Sequence, residues 1–163
     1  MTRQTSAILL PVLGGKGSPE QAAIALADYR KYIESVRANL PSSACSFADH
    51  RCPHDSWVES IVVSEPSSGR RHEKREIVIE IRLLGAHQDG HLVLLYPGVR
   101  SYSLSHEDLS SKTGHGDWRT DEISLSDNNL ALHEILFQSG GRWLVESSDI
   151  VVHWEPIIAP PSF

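Results

Sequence analysis

The chain has 163 residues, 40% of them hydrophobic and 22% charged, with a formal net charge of −6. This length and composition predict one soluble globular domain, 1–163, and exclude a wholly disordered chain. No apolar run reaches the roughly 18–20 residues that cross a bilayer, so no membrane association is expected.

The charge lies unevenly along the chain. Residues 1–120 carry equal numbers of acids and bases, whereas residues 121–163 carry seven acids against Arg142 alone: Asp121, Glu122, Asp127, Glu134, Glu146, Asp149 and Glu155. The absence of a basic stripe argues against a nucleic-acid partner. The pattern fits either a solvated acidic surface or a protein that meets a basic protein partner.

The first predicted element is an amphipathic helix over residues 18–40, preceded by an arm, 1–17, whose segment 7–13 we interpret as an edge strand or ordered arm. Ser18 is a good N-cap, Pro19 suits the first helical position, and Gln21 completes a capping box. An apolar stripe then recurs at helical spacing, through Leu26, Tyr29, Ile33, Val36 and Leu40. We expect this stripe to pack on a sheet.

Residues 41–56 are rich in proline, serine and aspartate and are predicted to form a loop. They contain Cys45 and Cys52 near His50 and His54, a spacing that fits no common structural zinc site. Three states of the cysteines remain open: two free thiols in a reducing cytosol, a disulfide, or a metal site. The free-thiol state corresponds to the predicted cytoplasmic location.

A β-rich body is predicted over residues 57–155, because the apolar period changes from 3.6 to 2. Turn residues separate eight segments: 57–63, 76–83, 91–96, 99–104, 123–125, 130–137, 143–146 and 150–154. Asp89-Gly90 predicts a hairpin between the second and third. The expected fold is α+β and mostly β, an antiparallel meander sheet of seven or eight strands with one N-terminal helix packed on it, and an extended tail, 156–163.

Three histidine-acid pairs are the strongest candidates for a site. They are His54-Asp55 before Trp57, His115-Gly116-Asp117 before Trp118, and His133-Glu134 within a predicted strand. A histidine beside a carboxylate can bind a metal, move a proton or hold a buried polar network.

Each pair also has a purely structural interpretation. The polar residues 54–56 could order the loop and direct Trp57 into the core. Two glycines flank His115, and this loop is the first place to look for function, the structural alternative being a tight loop that only docks its histidine. His133 and Glu134 must point to opposite faces of their strand, so they cannot act on one ligand together.

Signatures of nucleophilic, phosphate-binding and dinucleotide-binding enzymes are missing from the sequence, and no cofactor is predicted. Residues 14–18 resemble a phosphate-binding loop only superficially, because the required spacing is absent.

Several short motifs occur together in a fixed order. They are His54-Asp55-Ser56-Trp57, Leu83-Leu84-Gly85-Ala86, Asp89-Gly90-His91, Tyr96-Pro97-Gly98-Val99, Gly114-His115-Gly116-Asp117-Trp118 and Leu132-His133-Glu134-Ile135. Over residues 54–154 this order resembles small uncharacterised bacterial β-rich proteins, some of them immunity proteins of polymorphic toxin systems. The resemblance implies a β-rich domain without known enzymatic activity and supplies no catalytic residues.

The sequence therefore predicts a non-enzymatic binding domain, immunity-like, whose acidic C-terminal sheet faces a basic protein. One alternative is a metal-binding protein or metal-dependent enzyme that uses His54, Asp55, His115 and Asp117. Another is a small-ligand pocket between helix and sheet.

Overall fold

A computed structural model of the chain describes residues 8–12, 17–50, 53–107 and 114–158. The described residues contain two helices and eight strands. The elements are α1 (Pro19–Val36), α2 (Ser42–His50), β1 (Trp57–Ser64), β2 (Ile77–Leu84), β3 (Gly90–Val99), β4 (Ser101–Leu104), β5 (Trp118–Leu125), β6 (Ala131–Phe137), β7 (Arg142–Ser147) and β8 (Val151–Pro156). The prediction of an α+β, mostly β, antiparallel fold is confirmed.

The prediction of one meander sheet is wrong. The strands form two four-stranded antiparallel sheets: sheet 1 with the order β1-β2-β3-β8, and sheet 2 with the order β4-β7-β6-β5. The predicted hairpin at Asp89-Gly90 is present and joins β2 to β3. The turn signals do not reveal that two connections, from β3 to β4 and from β7 to β8, lead from one sheet into the other.

The two crossings lie side by side. Pro97-Gly98, expected as a turn, lies inside β3, and the chain continues through Arg100 into β4 of sheet 2. Ser148, between β7 and β8, donates its backbone N–H to the carbonyl oxygen of Pro97 at 3.1 Å. Both strands bend at this contact. The antiparallel pair of β3 and β8 in sheet 1 therefore continues as the pair of β4 and β7 in sheet 2.

Helix α1 begins as predicted and ends earlier than predicted. The backbone N–H of Ser18 donates to Gln21 Oε1 at 2.8 Å, and the Gln21 N–H donates to Ser18 Oγ at 3.3 Å, so the capping box is present. Ala25, Tyr29 and Ile33 are buried, whereas Leu26 is 39% exposed. The buried face of α1 therefore begins at Ala25, one residue before Leu26, where the predicted apolar stripe begins.

The second helix was not predicted. Residues 42–50 lack strong helical periodicity, yet Ala44, Cys45 and Phe47 are buried in a core that both helices and both sheets share. Arg37, just after α1, forms a two-pronged ion pair with Asp49 of α2, with N···O distances of 3.0 Å. Tertiary burial and this link stabilise a helix in a segment whose composition indicated a loop.

The described ends also differ from expectation. Residues 8–12 form a turn, with the N–H of Val12 donating to the Leu9 carbonyl at 3.0 Å, instead of an edge strand. Strand β8 reaches Pro156, and the last five residues of the predicted tail lie outside the described residues.

Candidate functional site

The first two histidine-acid pairs meet through their backbones at a seam between the sheets. The N–H of Asp55 donates to the carbonyl of Trp118, and the N–H of Trp118 donates to the carbonyl of Ser56, both at 2.9 Å. An isolated antiparallel bridge joins Trp57 to Asp117. The seam therefore connects the start of β1 in sheet 1 to the start of β5 in sheet 2.

The side chains of His54 and Asp55 lie in the exposed turn before this seam. His54 Nδ1 is 3.0 Å from Asp55 Oδ1, and both side chains are more than half exposed. Asp55 adopts a left-handed backbone conformation, with φ of 63°. A contact between two neighbouring side chains that are this exposed stabilises the turn only weakly.

The two tryptophans of these pairs have opposite environments. Trp57 is 52% exposed, so the interpretation that residues 54–56 direct it into the core is wrong. Trp118 is completely buried and donates its indole N–H to Asp121 Oδ1 at 3.0 Å. Only Trp118 is a core residue.

His115 lies against aromatic rings. Its ring centroid is 5.0 Å from Trp143, 5.6 Å from Phe137 and 4.8 Å from His106. Burial, followed by the neighbouring His106, lowers the pKa of His115. His115 Nδ1 and Trp143 Nε1 are buried without a hydrogen-bond partner in the described structure. This environment fits a docked neutral imidazole.

His133 is the centre of a buried polar network. It is fully buried, with Nδ1 at 2.8 Å from the Tyr96 hydroxyl and Nε2 at 3.0 Å from Asp121 Oδ2. Asp121 also accepts the bond from Trp118, so four side chains of both sheets are linked. Burial raises the pKa of Tyr96 well above its ordinary value, which keeps the phenol protonated. Among the proposed histidine roles, the buried polar network describes His133.

Sequence reasoning found His133 but missed Tyr96 and Asp121 as its partners. The alternation of β3 does place Tyr96 on the same side as Leu92 and Leu94, which is a usable signal of inward orientation. Which inward side chains meet across two sheets depends on the sheet crossing, which the sequence did not show.

Glu134 lies on the opposite face of β6 and forms an ion pair with Arg142. Beside it on that face, Glu122 is buried and accepts the backbone N–H groups of Ile8 and Leu9 at 2.7–2.9 Å. Burial raises the pKa of Glu122, while these backbone donors lower it. Its role is to anchor the turn at residues 8–12 to sheet 2.

Most acids of residues 121–163 are engaged in internal contacts. Asp121 and Glu122 belong to the contacts above. Glu146 accepts hydrogen bonds from Ser101 and Asn128, and Asp149 accepts one from Ser43. Asp127 is exposed in a turn, and Glu155 projects from β8. These residues are therefore dispersed instead of forming one acidic surface on the C-terminal strands.

Metal-ligating residues do not cluster in the described ranges. Across 8–12, 17–50, 53–107 and 114–158, no three histidine, cysteine, aspartate or glutamate side chains lie together as a metal site requires. Cys45 is buried, and burial raises the pKa of its thiol. Cys52 lies outside the described residues, so the state of this cysteine pair stays a prediction.

An open groove of about 490 Å³ lies between α1 and the turn at residues 8–12. Its lining includes Ile8, Val12, Ile24 and Ala25, together with Asp28. The groove adjoins a helix and a turn, and it contains none of the three histidine-acid pairs.

A surface that sequence reasoning did not single out lies on the side of sheet 1 away from the core. Its side chains range from the buried Val93 to the exposed Trp57. Its side chains alternate with the buried Ile79, Ile81 and Leu83 and point away from the core. We call it the outer face of sheet 1, and it comprises Trp57, Glu59, Val62, Glu80, Arg82, Leu84, His91, Val93, Leu95, Val151, His153 and Glu155.

An ion-pair cluster occupies the middle of the outer face. Arg82 lies 3.5 Å from Glu59 and 2.5 Å from Glu155, measured between nitrogen and oxygen. His91 and His153 contact the same two glutamates at 3.0 and 3.1 Å. Hydrogen bonds from Arg82 and His153 lower the pKa of Glu155.

No protein-family model, curated protein or solved structure matches this chain significantly. Neither helix in the described part of the chain combines the length and apolar character needed to cross a membrane.

Proposed function

We propose that the protein is a non-enzymatic binding domain that recognises a basic protein partner through the outer face of sheet 1. The observation that carries the proposal is a sheet face that presents an exposed tryptophan and acidic groups, and on which neither of the two described helices supplies a residue of the face. The immunity-like resemblance of residues 54–154 and the cytoplasmic location belong to the same proposal.

The charge on the outer face supports a basic partner. Three carboxylates, Glu59, Glu80 and Glu155, stand against the single guanidinium of Arg82. Glu80 is exposed and forms no ion pair with any described residue. An acidic surface speeds the encounter with a basic partner and selects its orientation.

The apolar groups on the outer face support a protein partner over a small ion. Trp57 is 52% exposed at one end, and Val62 and Val151 are exposed in the row that contains Glu80. A tryptophan surrounded by aliphatic and charged groups is typical of the residues that dominate the energy of protein interfaces. The partner is therefore expected to bury Trp57.

The test is capture of a partner from the native host, followed by binding measurements with Glu80→Lys and Trp57→Ala. Both changes should weaken binding, because one reverses charge on the contact surface and the other removes its aromatic anchor. Association should slow markedly as salt rises from about 0.05 to 0.5 M, since the Debye length falls from over 10 Å to a few Å.

Asp127→Lys is the matched control, because it makes the same charge reversal at an exposed turn of sheet 2. Glu146 and Asp149 are poorer choices for reversal, since both accept internal hydrogen bonds. Equal losses for Glu80→Lys and Asp127→Lys would contradict the assigned surface. Capture of nucleic acid alone, or of a partner as acidic as this chain, would contradict the function.

A further inference from the structure

The outer strands of the two sheets differ in how their backbone edges are covered. On β5 of sheet 2, the hydroxyl of Tyr29 accepts the N–H of Ile123 at 2.9 Å and donates to its carbonyl at 3.1 Å. The hydroxyl of Tyr32 accepts the N–H of Leu125 at 2.9 Å. Helix α1 therefore pairs with backbone groups that an edge strand would otherwise expose.

Among the described residues, no element covers strand β1 of sheet 1 in this way. The strand pairs with β2 along its length, and on its other side the described residues supply one bridge, from Trp57 to Asp117. Within the described structure, residues 59–64 form no backbone hydrogen bond on that side. We call this segment the free edge of β1.

The free edge has little of the usual protection against strand pairing. The register of β1 shifts between Val58 and Ser60, which places a bulge at Glu59, whereas residues 60–64 pair regularly with β2. Val62 is 49% exposed and Val63 is 42% exposed. The segment contains no lysine and no proline, and Glu59 is its only charged residue. Exposed apolar edges without such residues readily accept another strand.

We propose that the free edge of β1 accepts an extended basic segment of the protein partner as an added strand of sheet 1. This inference rests on the proposed function and assigns its mode of recognition. Backbone hydrogen bonds to residues 59–64 would supply affinity, and alternate side chains would supply specificity.

The chemistry of the free edge specifies the added strand. Side chains on one of its faces would lie beside Glu59 and Val62, with Glu80 one strand further into the sheet. Long basic side chains fit there, because they can reach toward both carboxylates. Side chains on the other face would lie beside Ile61 and the exposed Val63, so apolar residues fit there. The expected segment alternates basic and apolar residues.

A second copy of the chain is the less favourable occupant. Each copy carries a formal net charge of −6, so pairing two free edges would bring like charges together. A basic segment would not experience this electrostatic repulsion.

The experiment uses the full chain and a six-residue synthetic peptide of alternating lysine and valine. Nuclear magnetic resonance should show saturable shifts at Val62 and Val63, and β1 amides facing away from β2 should exchange more slowly with solvent. The same peptide with N-methyl groups on alternate residues keeps its charge but cannot form the backbone pairing. It should bind at least about tenfold more weakly, because several backbone hydrogen bonds are lost.

Two variants separate this inference from the proposed function. Val63→Lys should weaken binding of the peptide and of the captured partner, because it adds a repelling charge at an exposed edge position. Tyr102→Lys, which adds the same charge at an exposed position of strand β4 in sheet 2, is the control and should leave binding of the peptide unchanged. Full partner binding by Val63→Lys, with loss in Glu80→Lys, would overturn the edge inference and leave the outer face intact.

Three further outcomes would also overturn it: no binding of the lysine-valine peptide, equal binding of the N-methylated peptide, or protection that misses β1. Self-association of the peptide-free chain through β1, detected by sedimentation, would assign the edge to a second copy and overturn it as well.

Discussion

The two sheets have the same number of strands and the same antiparallel pairing, but the chain covers them differently. On sheet 2, α1 bonds the edge of β5 and the turn at residues 8–12 is anchored to Glu122. On sheet 1, the edge of β1 and the outer face carry no described element, and their ion pairs are partly exposed. Within the described residues, α1 covers the β5 edge of sheet 2, whereas no element covers the β1 edge of sheet 1.

The comparison has an energetic side. The polar contacts of Tyr29, Glu122 and His133 at sheet 2 involve buried side chains, so each lost partner leaves an unsatisfied group that costs about 1–3 kcal/mol. The ion pairs of Arg82 on the outer face of sheet 1 are partly exposed, and such surface pairs contribute about 0–1 kcal/mol each. We therefore expect substitutions to affect stability in sheet 2 and binding in sheet 1.

The largest expected effect is that of His133→Ala. The change removes a fully buried ring and leaves Tyr96 and Asp121 without their partner. The free energy of unfolding should fall by about 3–5 kcal/mol, measured by urea denaturation. His153→Ala on the outer face is the control and should change it by less than about 0.5 kcal/mol. A loss below about 1 kcal/mol for His133→Ala would mean that the network does not hold the sheets together.

An intermediate effect is expected for Tyr29→Phe. The substitution keeps the ring but removes the hydroxyl that bonds both backbone groups of Ile123. The free energy of unfolding should fall by about 1–3 kcal/mol. Tyr102→Phe, at an exposed tyrosine of β4, should change it by less than about 0.5 kcal/mol. Equal losses in the free energy of unfolding for the two variants would contradict the role of α1 in covering the edge of β5.

The smallest effect is expected for Leu26→Ala. Leu26 was predicted to be in the apolar stripe but is 39% exposed, and alanine favours helix, so the loss should stay under about 1 kcal/mol. Ile33→Ala removes a buried side chain of the same helix and should cost about 2–5 kcal/mol. Thermal and urea denaturation of both variants would show which face of α1 is docked. Equal losses would contradict the assigned face.

The histidine-acid pairs show how far sequence reasoning reached at the candidate site. Adjacent residues such as His54-Asp55 are visible as a pair, yet their side chains lie in an exposed turn. The partners of His133 lie 12 and 37 positions away, and no local pattern links them. The outer face was missed for the same reason, since its members come from four strands that only the sheet order brings together.

The sequence by itself determined the elements whose causes are local. The capping box at Ser18 and Gln21 began α1, the period of two gave the strands, and Asp89-Gly90 gave the hairpin. Only the tertiary structure decided the division into two sheets, the helix at residues 42–50, and which sheet edge is covered. These outcomes depend on burial and on hydrogen bonds between distant residues, such as Phe47 in the shared core and Tyr29 at Ile123, and such contacts leave no periodic signal along the chain.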